Sequence, residues 1–406
     1  MFLSSLFKKP EHEISVLFDI SSRSVGGALL ELSRHGKPKI LYTARLEIPF
    51  HESPGSEELV SETLSALTKV TSSLQVEGIA HLSATEFKDH KVKEVFLVFS
   101  SPWYISETKI ARIEKEKPFT FTERLLKEML AHEKTSYEKA VEANQNKNVS
   151  GINFLDQKVI KIKLNGYETA KPFGQIIFSA EANILSSFID SHLLNRVKDV
   201  VLHSFHPRHV GIHSFPGVAH SVLRDIYPGE NDFFIVDVGG ESTEISLIKG
   251  GGLLETFSFP VGHNQTLRKI SEALEVSRDV AISSLSLFLD GKTFEKTGGK
   301  IEGVVKDMQT KWNEAFQSAL GNLGENRAVP SLFYLISEPP LANLFNSVIK
   351  KIEKADEKTG AKKVVPLESK TLALHYERNG IGDGDMFLCL ETIFLNKLFS
   401  KDGAEK

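Results

Sequence analysis

Two short stretches far apart in the chain follow one plan, and that repetition constrains the fold more than any other feature. Residues 233–236 are an apolar run of aromatic and β-branched side chains; Asp237, Gly239 and Gly240 follow, and Ile245 and Leu247 alternating with polar neighbours resume a strand. Residues 14–19, ending on Asp19 and followed by Ile20, Ser21, Ser22, Arg23 and Ser24, repeat the order strand, aspartate, small-residue turn, strand. Taken alone, the stretch with Gly239 and Gly240 also reads as a plain Gly-Gly hairpin. As a pair, the two indicate a duplicated unit: two similar lobes facing one cleft, each contributing an aspartate.

The residue types in these turns suit a phosphate. Gly239 and Gly240 have no Cβ to keep the backbone N–H groups away from an anion, and Ser242 and Thr243 add hydroxyl donors. Asp237, at the end of a buried strand, is placed to orient the waters of a Mg²⁺ ion, which seldom gives up its hydration shell.

A chain of 406 residues, 41% hydrophobic and 25% charged, has the composition of an ordinary globular protein with more than one core. The formal charge of −4 gives no general attraction to nucleic acid or anionic lipid. The single cysteine, Cys389, excludes an internal disulfide and every multi-cysteine metal site, which fits a reducing, cytoplasmic setting. No apolar run is long enough to span a bilayer. The start, MFLSSLFKKP, reads as a flexible segment, with an interfacial anchor or docking peptide as the alternative.

In chain order, residues 1–13 form this flexible segment and 14–92 a first lobe, with strands at 14–19, 28–32 and 39–48 and an amphipathic helix over 57–75. Residues 93–183 read as an inserted α+β subdomain of strand, strand, helix and two strands, with a polar loop at 144–150. Residues 184–230 return to the first lobe. There His203, His206, His209 and His213 invite a metal reading, but the segment reads as strand and loop rather than as one helical face. A helix over 215–226 leads to the second lobe, 231–400. Within that lobe Thr266 is placed as a helix N-cap, 290–303 as a polar connection, 332–337 as a core strand, and Glu338-Pro339-Pro340 as a rigid turn. The apolar segment 385–399, with Lys397 and Lys401, reads as a core helix, with membrane targeting as the alternative. Residues 401–406 are a tail.

Two lobes, two aspartate hairpins and a later strand–turn–helix resemble the actin/Hsp70/sugar-kinase ATPase fold, a duplicated ribonuclease H-like α/β architecture. Within it the chain is most similar to the bacterial FtsA/PilM branch, in which an α+β SHS2 (1C) subdomain is inserted into the first lobe (1A) and the second lobe comprises 2A and 2B. FSFPVGHNQTLRKISEAL (residues 257–274) is similar to the family's Pro-x-Gly-Gly-x-x-x-Thr helix start, and FKKPEHEISVLFDISSRSV to PilM openings.

The resemblance implies a nucleotide cleft holding ATP and Mg²⁺: Asp19, Ser21, Ser22, Asp237, Gly239, Gly240, Ser242 and Thr243 around phosphate, with Asp19 and Asp237 on the metal through water. It also implies protein partners in a cell-division or type IV pilus complex, self-association into filaments or dimers, and cytoplasmic location with peripheral contact at the inner face of the membrane through a terminal segment. No nucleic-acid partner is expected.

Three motifs depart from the family pattern. Ser21 stands where the family has glycine, and Ser24 where it has lysine. Residues 280–289 lack the glutamate and lysine that hold the nucleoside, and Pro339-Pro340 replaces the Gly-Gly turn beneath adenosine. No catalytic residue is nominated. The expectation is a scaffold with weak ATP binding and little or no hydrolysis, or, as the alternative, a degenerate adaptor that binds no nucleotide and uses its SHS2-like subdomain for protein contacts.

Overall fold

The computed structural model describes residues 11–49, 55–83, 91–143, 151–293, 295–324, 329–338, 341–351, 363–378 and 384–401. Residues 1–10 of the expected flexible start, the polar loop at 144–150, the Pro339-Pro340 turn and residues 402–406 lie outside them, whereas His12 and Glu13, also expected in that start, begin the first strand.

The first repeat opens with β1 (His12–Ile20), β2 (Ser24–Ser33) and β3 (Lys39–Glu47), joined antiparallel. The turn between β1 and β2 is only three residues, closed by the Ser21 N–H on the Ser24 carbonyl at 3.1 Å. The SSRSVGG stretch is therefore not all turn. Gly26 and Gly27 lie inside β2, where the missing Cβ atoms leave room for the Arg45 guanidinium and for Val70 and Leu74. Helix α1 (Ser56–Ser73) passes through one π-helical turn, Leu74–Gly78, into α2 (Ile79–Ser83), and β4 (Glu94–Phe99) follows.

The inserted unit contains β5 (Tyr104–Thr120), α3 (Glu123–Ala143), β6 (Ile152–Leu164), β7 (Tyr167–Glu168) and β8 (Ile176–Asp190), with sheet order β5-β8-β6-β7. Expectation had placed residues 93–183 here. Instead β4 pairs in parallel with β1, so it belongs to the first sheet, and β8 runs on to Asp190. Helix α4 (Ser191–Phe205), β9 (His209–Ser214) and α5 (Phe215–Ile226) complete this half. Helix α4 overturns the strand-and-loop reading around His203: Asp190 caps it by accepting from the Leu193 N–H at 2.9 Å, and Leu194, Val197 and Val201 give it an apolar face.

The second repeat comprises β10 (Phe233–Val238), β11 (Thr243–Lys249), β12 (Gly252–Phe259), α6 (His263–Leu274), α7 (Arg278–Leu289), α8 (Glu295–Gly324), β13 (Leu332–Ile336), α9 (Ala342–Lys351) and β14 (Lys363–Pro366). Helix α6 begins at His263, so Thr266 is a buried residue within it rather than its cap. Helix α8 starts within the expected polar connection, because Ile301, Val305, Met308 and Trp312 bury one face of it despite Gly298 and Gly299.

The chain then returns to the first lobe. Short α10 (Ser369–Leu372) precedes β15 (Glu377–Arg378), which pairs with β3, and α11 (Met386–Lys401) packs on β1, β2 and α5. The second lobe thus does not extend to residue 400. Helix α11 is a core element, with Leu388, Leu390 and Leu395 fully buried, so its apolar surface is not available to a membrane.

The duplication is visible in the sheets. The first sheet runs β15-β3-β2-β1-β4-β9 and the second β12-β11-β10-β13-β14. Setting β15 aside, both have the order third, second, first, fourth, fifth, with the first three strands antiparallel and the last two parallel. Helices α1 and α4 cover one face of the first sheet, α6, α8 and α9 cover the far face of the second, and α5 with α11 lie between the sheets. The inserted sheet keeps its own core against α3, including Phe121, Met129 and Ile184.

Candidate functional site

The repeat places Asp19 and Asp237 at matching points. Each is the penultimate residue of its central strand, Asp19 opposite Val98 on β4 and Asp237 opposite Ile336 on β13. On the other side the two repeats diverge. Asp19 faces Gly26, and the space there is taken by Arg45, whose Nη2 donates to Asp19 Oδ2 at 2.7 Å. Asp237 faces Glu244, which accepts from the Tyr104 hydroxyl of the inserted unit at 2.6 Å.

Arg45 is the hub of this site. Its Nη1 donates to Ser24 Oγ at 2.6 Å, and Nε and Nη2 donate to the two carboxylate oxygens of Asp385 at 2.5 and 3.1 Å. Burial works against the guanidinium, but Asp385 and Asp19 together hold it charged. One guanidinium does not compensate all the acids around it. Burial, opposed by Arg45 and reinforced by Asp385 and Glu338, pushes Asp19 up to about 6. Asp237 is driven well above the carboxylate range by burial and by Glu244, Asp19 and Glu338. Burial lifts Glu244 to about 7 against the stabilising hydrogen bond from Tyr104.

The two turns that flank the aspartates touch. Ser22 Oγ accepts from the Glu241 N–H at 3.0 Å, and a Cβ on Gly240 would lie 2.8 Å from Arg23 N. A chain of alternating charge tightens this seam: Arg278 of α7 meets Glu47 at 2.6 Å, Glu47 meets Arg23 at 3.5 Å, and Arg23 meets Glu338 at 2.8 Å. Asp19 and Asp237 border the space remaining between the lobes here, about 20 Å³. That is room for one water-sized group.

The hydroxyls nominated for phosphate and the Gly239 amide have other partners. Ser21 Oγ donates to the Ser24 carbonyl at 3.0 Å and accepts from the N–H groups of Arg23 and Ser24. Ser242 Oγ donates to Ser101 Oγ at 3.0 Å. Thr243 Oγ1 donates to the Val261 carbonyl at 2.6 Å and accepts from Trp312 Nε1 at 2.9 Å. The Gly239 N–H is bonded to the Ser242 carbonyl. The carbonyls of Gly239 and Gly240 in turn accept from His263 and Asn264, so the start of α6 is capped by the glycine turn itself.

A larger cavity of about 1140 Å³ lies beside it between the lobes and shares Arg45, Glu338 and Phe387 with the small one. It has room for a base and ribose. Its lining among the described residues holds the carboxylates of Asp290, Glu338, Glu368 and Asp385 against the single cation Arg45, already committed. The nominated residues are brought together, but as a closed and acidic seam they do not fit a triphosphate.

The sequence reading missed Arg45, Asp385 and the Glu47–Arg23–Glu338 chain. The available signal was Arg45 itself, a cation in the interior of β3 set opposite a glycine in β2. The four histidines are scattered: His203 on α4, His206 at its left-handed C-cap, and His209 and His213 on β9. Among the described residues no cluster of three His, Cys, Asp or Glu is arranged to hold a metal ion. No described helix is long and apolar enough to cross a membrane.

No protein-family model matches the chain, and no curated protein does. Among solved structures it is similar to one described as the PilM–PilN type IV pilus biogenesis complex, at 14% identity, covering 98% of this chain and 100% of that one, with a TM-score of 0.60. It also matches the ethanolamine utilization protein EutJ from Carboxydothermus hydrogenoformans at 10% identity, covering 95% and 91% of the two chains, with a TM-score of 0.43. A Bacteroides thetaiotaomicron protein of actin-like ATPase fold and unknown function matches at 8% identity, 94% and 96% coverage and a TM-score of 0.41. At such identities the likeness is one of fold. The chain has the actin-like ATPase fold, mixed α/β with several sheets.

Proposed function

We propose that this chain is a PilM-like scaffold that neither binds nor hydrolyses ATP, its two lobes held together by its own side chains where a nucleotide would otherwise bridge them. One observation carries the reading: the two phosphate-type turns are in direct contact, Ser22 on Glu241 and Gly240 on Arg23, with no space between them for a phosphoryl group. The ion chain from Arg278 to Glu338 and the Arg45 hub supply the cohesion. In this reading the second aspartate motif is a retained structural element.

The scaffold role is to present the inserted unit to a protein partner of a type IV pilus assembly, as PilM is seen with PilN, at the cytoplasmic face of the membrane. Ile110, Tyr167, Ile176 and Phe178 of that unit are all close to half or more exposed, which suits a surface that is covered in an assembly. A cell-division assembly is the alternative setting.

The large cavity favours a second reading, weak ATP binding through base and ribose. Isothermal titration of the full chain with Mg-ATP separates the two. No heat at millimolar nucleotide supports the closed scaffold. Binding that disappears in Asp237→Ala would overturn it in favour of the weak binder.

A further inference from the structure

The cleft that does not fit a triphosphate still has a volume and a chemistry. Among the described residues, six carboxylates border the two cavities: Asp19, Asp237, Glu338, Asp385, Asp290 and Glu368. Two guanidiniums oppose them. Arg45 is spent on Asp19, Ser24 and Asp385, and Arg23 lies against Glu338 and Glu47. Asp290 and Glu368 pair with Lys292 and Lys370, whose side chains are 67% and 80% exposed, so these pairs are weak and exchangeable.

The inner end supplies an independent observation. Asp19 and Asp237 are 1% and 5% exposed, and the Oδ1 of each has no hydrogen-bond partner, although both residues border the 20 Å³ space. Ser100 Oγ and Arg23 Nε also lack partners there. One water in this space would bring no charge against the acidic excess of the two cavities. A hydrated Mg²⁺ is too large for the space, and no three-ligand metal cluster is present among the described residues. A primary ammonium is water-sized, carries three donors and no acceptor, and brings the missing charge. Its alkyl stem would run past Phe387, a side chain that borders both cavities.

We infer that the interlobe cleft binds an organic cation, a primary alkylammonium whose head sits among Asp19, Asp237 and Glu338 and whose stem lies along the larger cavity. This rests on the reading that the cleft excludes a triphosphate. A free polyamine and the lysine side chain of a partner segment offer the same chemistry. Binding would draw the buried carboxyls back toward their ionised form and add cohesion to the seam.

The test is calorimetric titration and thermal melting of the full chain at mildly alkaline pH with cadaverine, with 1-pentanol as the uncharged comparison. Cadaverine is expected to bind and raise the melting temperature, and 1-pentanol to do neither. Binding should weaken by about tenfold or more in Asp237→Asn, from loss of a buried charge contact, and in Glu338→Gln, whose partly exposed site tolerates the change; circular dichroism checks that each variant is folded. Absence of cadaverine binding, equal binding by the folded variants, or displacement by MgCl₂ at lower concentration than by a second amine would overturn the proposal. A lysine-bearing peptide binding more tightly than spermidine assigns the source to a protein partner, and the reverse order to a polyamine; either supports the site. Mg-ATP is titrated separately: heat from ATP sinks the closed-scaffold reading, whereas silence from both ligands sinks only this one.

Discussion

Ser22 Oγ and the Glu241 N–H meet at 3.0 Å across the seam between the lobes, joining two turns that are copies of one structural unit. The bond forms because nothing keeps the turns apart. Gly240 packs on the Arg23 backbone, and Gly262 at the start of α6 packs on the carbonyls of the same glycine turn. A Cβ at Gly240 would stand 2.8 Å from Arg23 N, and one at Gly262 only 2.4 Å from Gly240 O. Both obstacles are backbone atoms and cannot swing away. Gly240→Ala is therefore expected to lose about 1–3 kcal/mol by overpacking. Gly262→Ala, the tighter site and one that would also disturb the cap of α6, is expected to lose about 3 kcal/mol or more. Urea unfolding of both variants checks the order; a Gly262→Ala protein as stable as wild type would contradict the packing described.

Removing Arg45 should reveal how much one cation stabilises. Asp19 is 1% exposed and Asp385 14%, so Arg45→Ala strands two carboxylates that accept its hydrogen bonds. Breaking a buried pair by deleting one partner costs about 3–5 kcal/mol. The loss should shrink in acid, where Asp19 takes up a proton, and Asp19→Asn should recover part of it in the double variant. A double variant no more stable than Arg45→Ala at neutral pH would show that the stranded charge is not the cause.

Much of this fold was legible from local pattern. The β1 and β10 runs, each ending on an aspartate, identified the duplication, and residues 215–226 matched α5 end to end. What failed was whatever depends on distant partners. Nothing within residues 377–378 or 386–401 shows that the former pair with β3 and the latter fill the space beside β1, because lobe membership is set by the docking of α11 rather than by its own periodicity. Gly298 and Gly299 argued for a loop by propensity, and the buried face of α8 overrode them. The candidate site shows the same division. Aspartates and turns were readable one by one, whereas their mutual contact is a property of how two lobes close.

The buried acids set a pH dependence whose sign follows from their direction of shift. Asp237 and Glu391 are raised well above the ordinary carboxyl range and Glu244 to about 7, chiefly by burial, so the folded state retains protons that the unfolded chain releases. Their contribution is fully present below the unfolded carboxyl values and is lost as pH rises through the folded ones. Buried His220, lowered to about 4 from 6.5, and His263, also lowered by burial, act oppositely: their contribution is present above 6.5 and lost as pH falls. The two sets oppose each other in mild acid and leave the carboxyls alone above neutrality. The melting temperature should therefore fall between about pH 6.5 and pH 8.5. Glu391 is fully buried and neither carboxylate oxygen has a partner, so Glu391→Gln should raise the melting temperature at the alkaline end and flatten the slope. A wild-type curve that rises through this range would contradict the protonation described.

Helix α11 offers the sharpest division between a core element and a membrane anchor. Leu395 is fully buried between the sheets, while Lys397 donates to the Ser221 carbonyl at 3.0 Å and meets Asp225, itself half exposed. An anchor would tolerate loss of an apolar side chain in the folded protein and depend on its lysines at the lipid surface. A core helix does the reverse. Leu395→Ala should cost about 2–5 kcal/mol, the transfer and cavity penalty of a buried leucine. Lys397→Ala should cost less than about 1 kcal/mol, as befits a partly solvated pair. Chemical unfolding of the two variants decides the matter, since a stable Leu395→Ala protein would mean that α11 does not fill the space between β1, β2 and α5.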